Sequence, residues 1–142
     1  MKQTRSWARR CAVQSLYQQA LSGGGPAITD LEFLAGEDSR RVNQQYFQAL
    51  IEDLRRHARE IDRLIAPALD RGLDEVDPVE GAILRVGVCE LAYHPGIPCR
   101  VVINEAVELA KLFGAEQGHK YVNSVLDKLA RQLRKTEMKT DS

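Results

Sequence analysis

Long apolar runs and paired cysteines are absent from this 142-residue sequence. The longest apolar stretch, residues 82–93, is interrupted by Arg85 and Glu90 and is unsuited to spanning a membrane. The basic amino-terminal segment leads into a stretch punctuated by glutamines, which argues against a secretory signal. The three cysteines form no CxxC pair and suggest free thiols in a reducing cytosol. We therefore expect a cytoplasmic protein with no membrane partner.

The motifs of enzymes and metalloproteins are also absent. The three histidines lie far apart without metal-ligand spacing, and no HExxH motif or Gly-Lys-Ser/Thr phosphate loop occurs. The glycine run at residues 23–25 follows no strand and precedes no lysine, so we interpret it as a loop. Acidic residues within 74–80 stand where helix caps belong. The sequence predicts no catalytic residue, no cofactor and no metal site.

A net charge of zero conceals an uneven distribution of charge. Residues 1–20 carry four basic and no acidic side chains, and residues 119–135 carry five basic side chains and one acidic one. Residues 21–118 carry ten basic and seventeen acidic side chains. Two basic termini around an acidic middle suit a polyanion-binding protein, provided that the termini meet in the fold. The simpler alternative is that both basic segments are solvated helix ends.

Helical periodicity dominates the sequence, and no convincing strand alternation occurs. The pattern predicts a short helix between Thr29 and Gly36, and longer helices over residues 5–21, 42–57, 61–69, 78–93, 101–113 and 118–133. The helix that begins at Asp77-Pro78 is apolar nearly all round, which predicts a central position, and its Arg85 is expected to pair with Glu105. We expect an all-α protein with about seven helices, a single domain over residues 1–135 and a disordered tail over residues 136–142.

The basic segments contain patterns that favour nucleic-acid binding. Lys120 and Tyr121 stand side by side at a helix start, where an ammonium can contact a phosphate and a ring can stack on a base. Arg5 and Arg9 are four residues apart and share a helix face, with Lys2 just before them. Both patterns predict contacts with a single-stranded nucleic acid, although burial is the commoner fate of a lone tyrosine.

Six segments together resemble the NusB family of transcription antitermination factors. They are RRCAVQSLY (9–17), VEGAILR (79–85), CEL (89–91), VINEAVELAK (102–111), FGA (113–115) and HKYVNSVLD (119–127). The segments extend over nearly the full chain in the order expected of the family. The resemblance implies two three-helix bundles packed crosswise, in agreement with the helices predicted above.

The resemblance also implies a function and a set of partners. Proteins of this family bind single-stranded boxA RNA as a heterodimer with ribosomal protein NusE, and they join NusA, NusG and RNA polymerase to suppress termination, above all in ribosomal RNA operons. A homodimer is a further state that such proteins can adopt. By position, the RNA-binding role falls on Lys2, Arg5, Arg9, Gln117, Lys120 and Tyr121, and the NusE interface on Tyr17 and Glu80.

Two departures from the family pattern stand in the predicted RNA-binding segments. Ser6 and Trp7 replace frequent arginines, and Gln117 stands where relatives can carry an aspartate. The glutamine removes a negative charge near phosphate and can donate hydrogen bonds, which favours RNA binding at that point.

Two alternative functions remain open. One is an RNA-binding module like the domain that precedes the methyltransferase of some ribosomal RNA cytosine-modifying enzymes, which requires an α/β domain downstream of Ser142. The other is a helical adaptor that binds only proteins.

Overall fold

The computed structural model describes residues 4–22, 43–113 and 117–141, and all elements assigned within these ranges are helices. They are α1 (Arg5–Leu21), α2 (Gln44–Arg56), α3 (Ala58–Ile65), α4 (Pro78–Tyr93), α5 (Cys99–Phe113), α6 (Gly118–Leu133) and α7 (Lys135–Asp141), with 3-10 turns at Ala66–Ala68 and Leu73–Glu75. The all-α prediction is confirmed. The helix expected between Thr29 and Gly36 lies outside the described residues. No helix in the described ranges has both the length and the apolar character that crossing a membrane requires.

Helix α4 occupies the centre of the fold, as its apolar sequence predicts. It packs against α1, α2, α3, α5 and α6. The Asp77 side chain accepts hydrogen bonds from the amides of Val79 and Glu80 and so caps the helix start. At Gly87 the helix lies so close to α6 that an added Cβ would be 3.0 Å from the methyl groups of Leu126. A side chain at this position would therefore push the two helices apart.

Two groups of helices share α4. Helices α4, α5 and α6 pack against one another as a three-helix bundle, while α1 and α2 pack against each other and against α4. This is the two-bundle arrangement that the resemblance implied. The described cysteines are all buried, and burial, with Asp53 and Glu90 nearby, raises the pKa of the Cys89 thiol to about 12. The Cys89 thiol is therefore protonated at neutral pH.

The predicted ion pair between Arg85 and Glu105 is wrong. Arg85 on α4 donates from Nε to Asp62 on α3 at 2.9 Å. Glu105 on α5 instead accepts hydrogen bonds from Arg9 and Ser6 on α1. The two residues lie on sides of their helices that contact different neighbours, which periodicity alone does not distinguish.

The chain continues beyond residue 135 as α7, which covers most of the segment predicted as a disordered tail. The Glu137 carboxylate accepts a hydrogen bond of 3.0 Å from the Cys99 amide at the start of α5, and it pairs with Arg134 at 2.8 Å. The Arg134 guanidinium also donates to backbone carbonyls at and beyond the end of α4, those of Glu90, Leu91, His94 and Ile97. These bonds satisfy helix-terminal groups and attach α7 to the fold.

Candidate nucleic-acid interface

The first turn of α6 carries three of the predicted RNA-binding residues. Gln117 is the exposed cap residue, Lys120 is exposed, and Tyr121 is half-buried. The Gln117 side chain makes no capping hydrogen bond with the helix, so it does not satisfy the free amides of the first turn. These amides and the helix dipole favour an anion at this end of α6. The turn therefore presents an ammonium, an amide side chain and an aromatic ring next to a site that attracts phosphate.

Glu80, predicted for the protein interface, lies against this same turn. A Cβ atom at Gly118 would be 2.9 Å from Glu80 Oε1, so a larger residue there would require the Glu80 carboxylate to move. Burial, with a smaller effect from Asp77, raises the pKa of Glu80 above its usual range. The structure thus brings Glu80 next to the predicted RNA-binding residues.

Tyr121 contacts a loop that the sequence prediction did not include. Its hydroxyl donates to Asp70 Oδ1 at 3.4 Å, and the Arg71 guanidinium lies 5.1 Å from the centroid of its ring. Arg71 pairs with Asp70 at 2.9 Å, and this hydrogen-bonded pair lowers the pKa of Asp70. Because these residues follow a 3-10 turn, helical periodicity gave no reason to place them beside α6. Arg71 adds an exposed cation to the site.

The two arginines predicted on α1 have different environments. Arg5 is exposed, and its guanidinium lies 4.7 Å from the centroid of the Tyr46 ring. Arg9 is only 3% exposed, with its Nε 2.9 Å from both Glu90 carboxylate oxygens and its Nη1 3.0 Å from Glu105. The Arg9 guanidinium therefore supplies the cation that a buried carboxylate on α4 requires, and its burial leaves little surface for the RNA contact predicted from the sequence. Lys2 lies outside the described residues.

Arg10, which the sequence prediction left without a role, connects α1 to the end of α5. Its guanidinium lies 4.6 Å from the ring centroid of Trp7 and 5.6 Å from that of Phe113. Phe113 is the last residue of α5, and Gln117 follows shortly after it in the chain. The contacts of Arg10 thus bring a basic segment of α1 to the helix that leads into the α6 turn.

Tyr17, the other residue predicted for the protein interface, is half-buried near the end of α1. Leu21 follows one helical turn later on the same face and is 64% exposed. Together they place an aromatic ring and an exposed apolar side chain at the carboxyl end of α1. Tyr17 and Glu80 lie on different helices, α1 and α4, and none of the described contacts joins them.

Comparisons with known proteins all identify the same family. Residues 6–131 match the model of the NusB family. A transcription antitermination protein NusB from Nitrosococcus oceani is 49% identical over 140 residues, which cover 99% of this chain and 94% of that protein. The NusB protein of Shewanella halifaxensis is 50% identical over 122 residues, which cover 86% of this chain and 90% of that protein.

Solved structures show the same likeness in three dimensions. NusB from T. maritima superposes with a TM-score of 0.78 at 27% sequence identity, covering 93% of this chain and 94% of that one. A structure of the antitermination factors NusB and NusE in complex with double-stranded RNA contains a chain with a TM-score of 0.77 at 29% identity. That match covers 90% of this chain and 96% of the other.

Proposed function

Because this chain belongs to the NusB family, we propose that it is a transcription antitermination factor that binds boxA RNA as a heterodimer with ribosomal protein NusE. Together with NusA, NusG and RNA polymerase, the heterodimer suppresses termination in ribosomal RNA operons. The observation that carries the RNA-binding part of this proposal is the exposed Lys120 beside Tyr121 at the amino end of α6. The structure of related NusB and NusE proteins with RNA supports it.

In the proposed complex, the α6 turn binds the RNA backbone and one base. Lys120 and the free amides of the first turn attract a phosphate, and Gln117 donates a hydrogen bond to the strand. A base stacks on Tyr121, taking the place of the Arg71 guanidinium on the ring. Arg71 then pairs with a phosphate next to that base. The RNA is single-stranded because stacking on a side chain requires an unpaired base.

A second group of contacts comes from the start of α1. Arg5 is exposed there, and Lys2 precedes it in the chain. The contacts of Arg10 with Phe113 support a common surface for α1 and the α6 turn, since Phe113 ends the helix that leads into this turn. Arg9 has no direct role in this surface, because its guanidinium is held in the interior by two carboxylates.

The proposed NusE interface includes Tyr17 and Glu80, with Leu21 as an added apolar contact. Tyr17 and Leu21 offer the mixture of aromatic and apolar area that protein interfaces use. Because Glu80 lies against Gly118, NusE bound there would extend the surface that holds RNA. A homodimer formed through the same residues would compete with NusE.

Mobility-shift titration of the full chain tests this proposal. The RNAs are boxA, a scrambled strand of equal length and a boxA duplex, each with and without NusE; the duplex is included because the related complex contains double-stranded RNA. We expect weak binding of boxA alone, tighter binding with NusE, and weaker binding of the other two RNAs. Equal affinity for boxA with and without NusE would contradict the heterodimer, and NusE binding without any RNA affinity would identify a protein-only adaptor.

A further inference from the structure

Three potential metal ligands converge on the side of the fold formed by α2 and α4. They are Asp53 on α2, Cys89 on α4 and His94 just beyond the end of α4. One donor atom from each residue lies within 4.8 Å of the other two. Cys89 is buried, whereas the side chains of His94 and Asp53 are 18% and 25% exposed. The cluster therefore lies just beneath the surface, within reach of an ion from solution, and it has no part in the proposed RNA or NusE contacts.

The imidazole of His94 directs a ring nitrogen at the Asp53 carboxylate. His94 Nε2 is 2.9 Å from Asp53 Oδ2, yet it is shielded from solvent and makes no well-aligned hydrogen bond with the described residues. A neutral imidazole with its lone pair directed at a carboxylate oxygen is repelled at this distance. The contact is favourable when the ring hydrogen lies on Nε2 or when a metal ion is held by the two donors.

We propose that Asp53, Cys89 and His94 form a Zn²⁺ site. Zn²⁺ accepts sulfur, nitrogen and oxygen donors in tetrahedral geometry, and three protein ligands leave one position for water. Ligand bonds of about 2.0–2.3 Å place tetrahedral donors about 3.3–3.5 Å apart, so small side-chain movements complete the site. Mg²⁺ and Ca²⁺ fit less well because they prefer oxygen ligands throughout.

The charges of such a site balance. Binding displaces the Cys89 thiol proton to solvent, and the resulting thiolate and the Asp53 carboxylate together neutralise the ion, while His94 coordinates as a neutral imidazole. A neutral assembly suits a site that is largely removed from water. Because the ligands come from two helices, bound Zn²⁺ would hold α2 against α4 and stabilise the fold.

Titration with Co²⁺, which forms coloured thiolate complexes in zinc sites, tests the proposal. The full chain is kept reduced, stripped of metal with a chelator and titrated while the absorption spectrum is recorded. We expect one equivalent of Co²⁺ to produce a thiolate-to-cobalt charge-transfer band and the visible bands of tetrahedral cobalt, and Zn²⁺ to displace it. The absence of a saturable charge-transfer band would overturn the proposal.

Substitutions of single ligands test whether the charge-transfer band comes from this cluster. Cys89→Ser should abolish the charge-transfer band and weaken Co²⁺ binding by more than about 100-fold. Even substitutions of residues that only support the ligands lower metal affinity by about 10–100-fold. Cys11→Ala, which removes a buried thiol on α1 outside the cluster, should leave the titration unchanged. If Cys89→Ser does not fold by circular dichroism, His94→Gln provides the second test. An unaltered titration in His94→Gln or Cys89→Ser would overturn the assignment.

Discussion

The guanidinium of Arg9 lies in the protein interior with its Nε 2.9 Å from both carboxylate oxygens of Glu90. Burial is the largest single effect and opposes the charge on Arg9, but the charge and hydrogen bond of Glu90, together with Tyr46 and Glu105, outweigh it, so the pKa of Arg9 is raised. The Tyr46 hydroxyl also donates to Glu90, and Arg9 Nη1 donates to Glu105. One charged network therefore joins α1, α2, α4 and α5.

Loss of Arg9 should destabilise the protein strongly. Arg9→Met should lower the free energy of unfolding by about 3–5 kcal/mol, because Glu90 would remain buried without a cation. Urea denaturation followed by circular dichroism measures the change. The double variant Arg9→Met with Glu90→Leu should recover much of the loss, since it removes both charges. A loss below about 1 kcal/mol in Arg9→Met, typical of an exposed ion pair, would contradict the buried network.

Exposed cations of the proposed RNA surface should determine the salt dependence of binding. Arg5→Ala combined with Lys120→Ala should reduce the slope of log affinity against log salt by about 0.7 for each lost phosphate contact to a single strand. Mobility shifts over a range of salt concentrations, with NusE present, measure this slope. Arg63→Ala is the matched control, because Arg63 has a 76% exposed side chain on α3 and is not among the residues proposed to contact RNA. An unchanged slope in the double variant would exclude both residues from phosphate binding.

Tyr121 should contribute to RNA affinity through its ring. Tyr121→Ala should weaken boxA binding by about 1–3 kcal/mol, the usual contribution of base stacking, whereas Tyr121→Phe should bind nearly as the unmodified chain does. The phenylalanine loses only the long hydroxyl contact of 3.4 Å to Asp70. Equal losses in both variants would show that the hydroxyl, and not the ring, contributes the affinity.

Most helices were predictable because each buries a distinct apolar stripe. The apolar character of α4 on nearly all sides correctly indicated its central position. The spacing of Arg5 and Arg9 correctly indicated a shared face, since both guanidinium groups lie near the Tyr46 ring. Spacing could not reveal that Arg9 contacts the carboxylate of Glu90, which lies 81 positions later in the chain on α4.

Residues outside regular helices were the hardest to place. Arg71 reaches Tyr121 from an irregular segment between two 3-10 turns, where no periodicity relates a residue to its spatial neighbours. The position of α7 has a similar cause, because Glu137 contacts the Cys99 amide, which lies 38 positions away in the chain. Local sequence patterns carry no information about such contacts.

Glu137 should stabilise the start of α5 in a pH-dependent manner. Its hydrogen bond with the Cys99 amide, assisted by Arg134, lowers the pKa of Glu137 below the ordinary value of 4.5. Because the folded-state pKa is the lower one, this stabilisation is complete above pH 4.5 and is lost as the pH falls through the folded-state pKa. Glu137→Gln keeps an acceptor oxygen but loses the charge that strengthens this hydrogen bond and pairs with Arg134, so it should lower the free energy of unfolding by about 1 kcal/mol at neutral pH.

The difference in free energy of unfolding between Glu137→Gln and the unmodified chain should shrink as the pH falls below 4.5. Protonation of Glu137 then weakens the same hydrogen bond in the unmodified chain. Urea denaturation at a series of pH values measures this difference. Glu108→Gln is the matched control, since it removes a carboxylate on α5 that is 70% exposed and pairs with Lys111 one turn later. A difference that stayed constant with pH would show that the Glu137 charge does not stabilise α5.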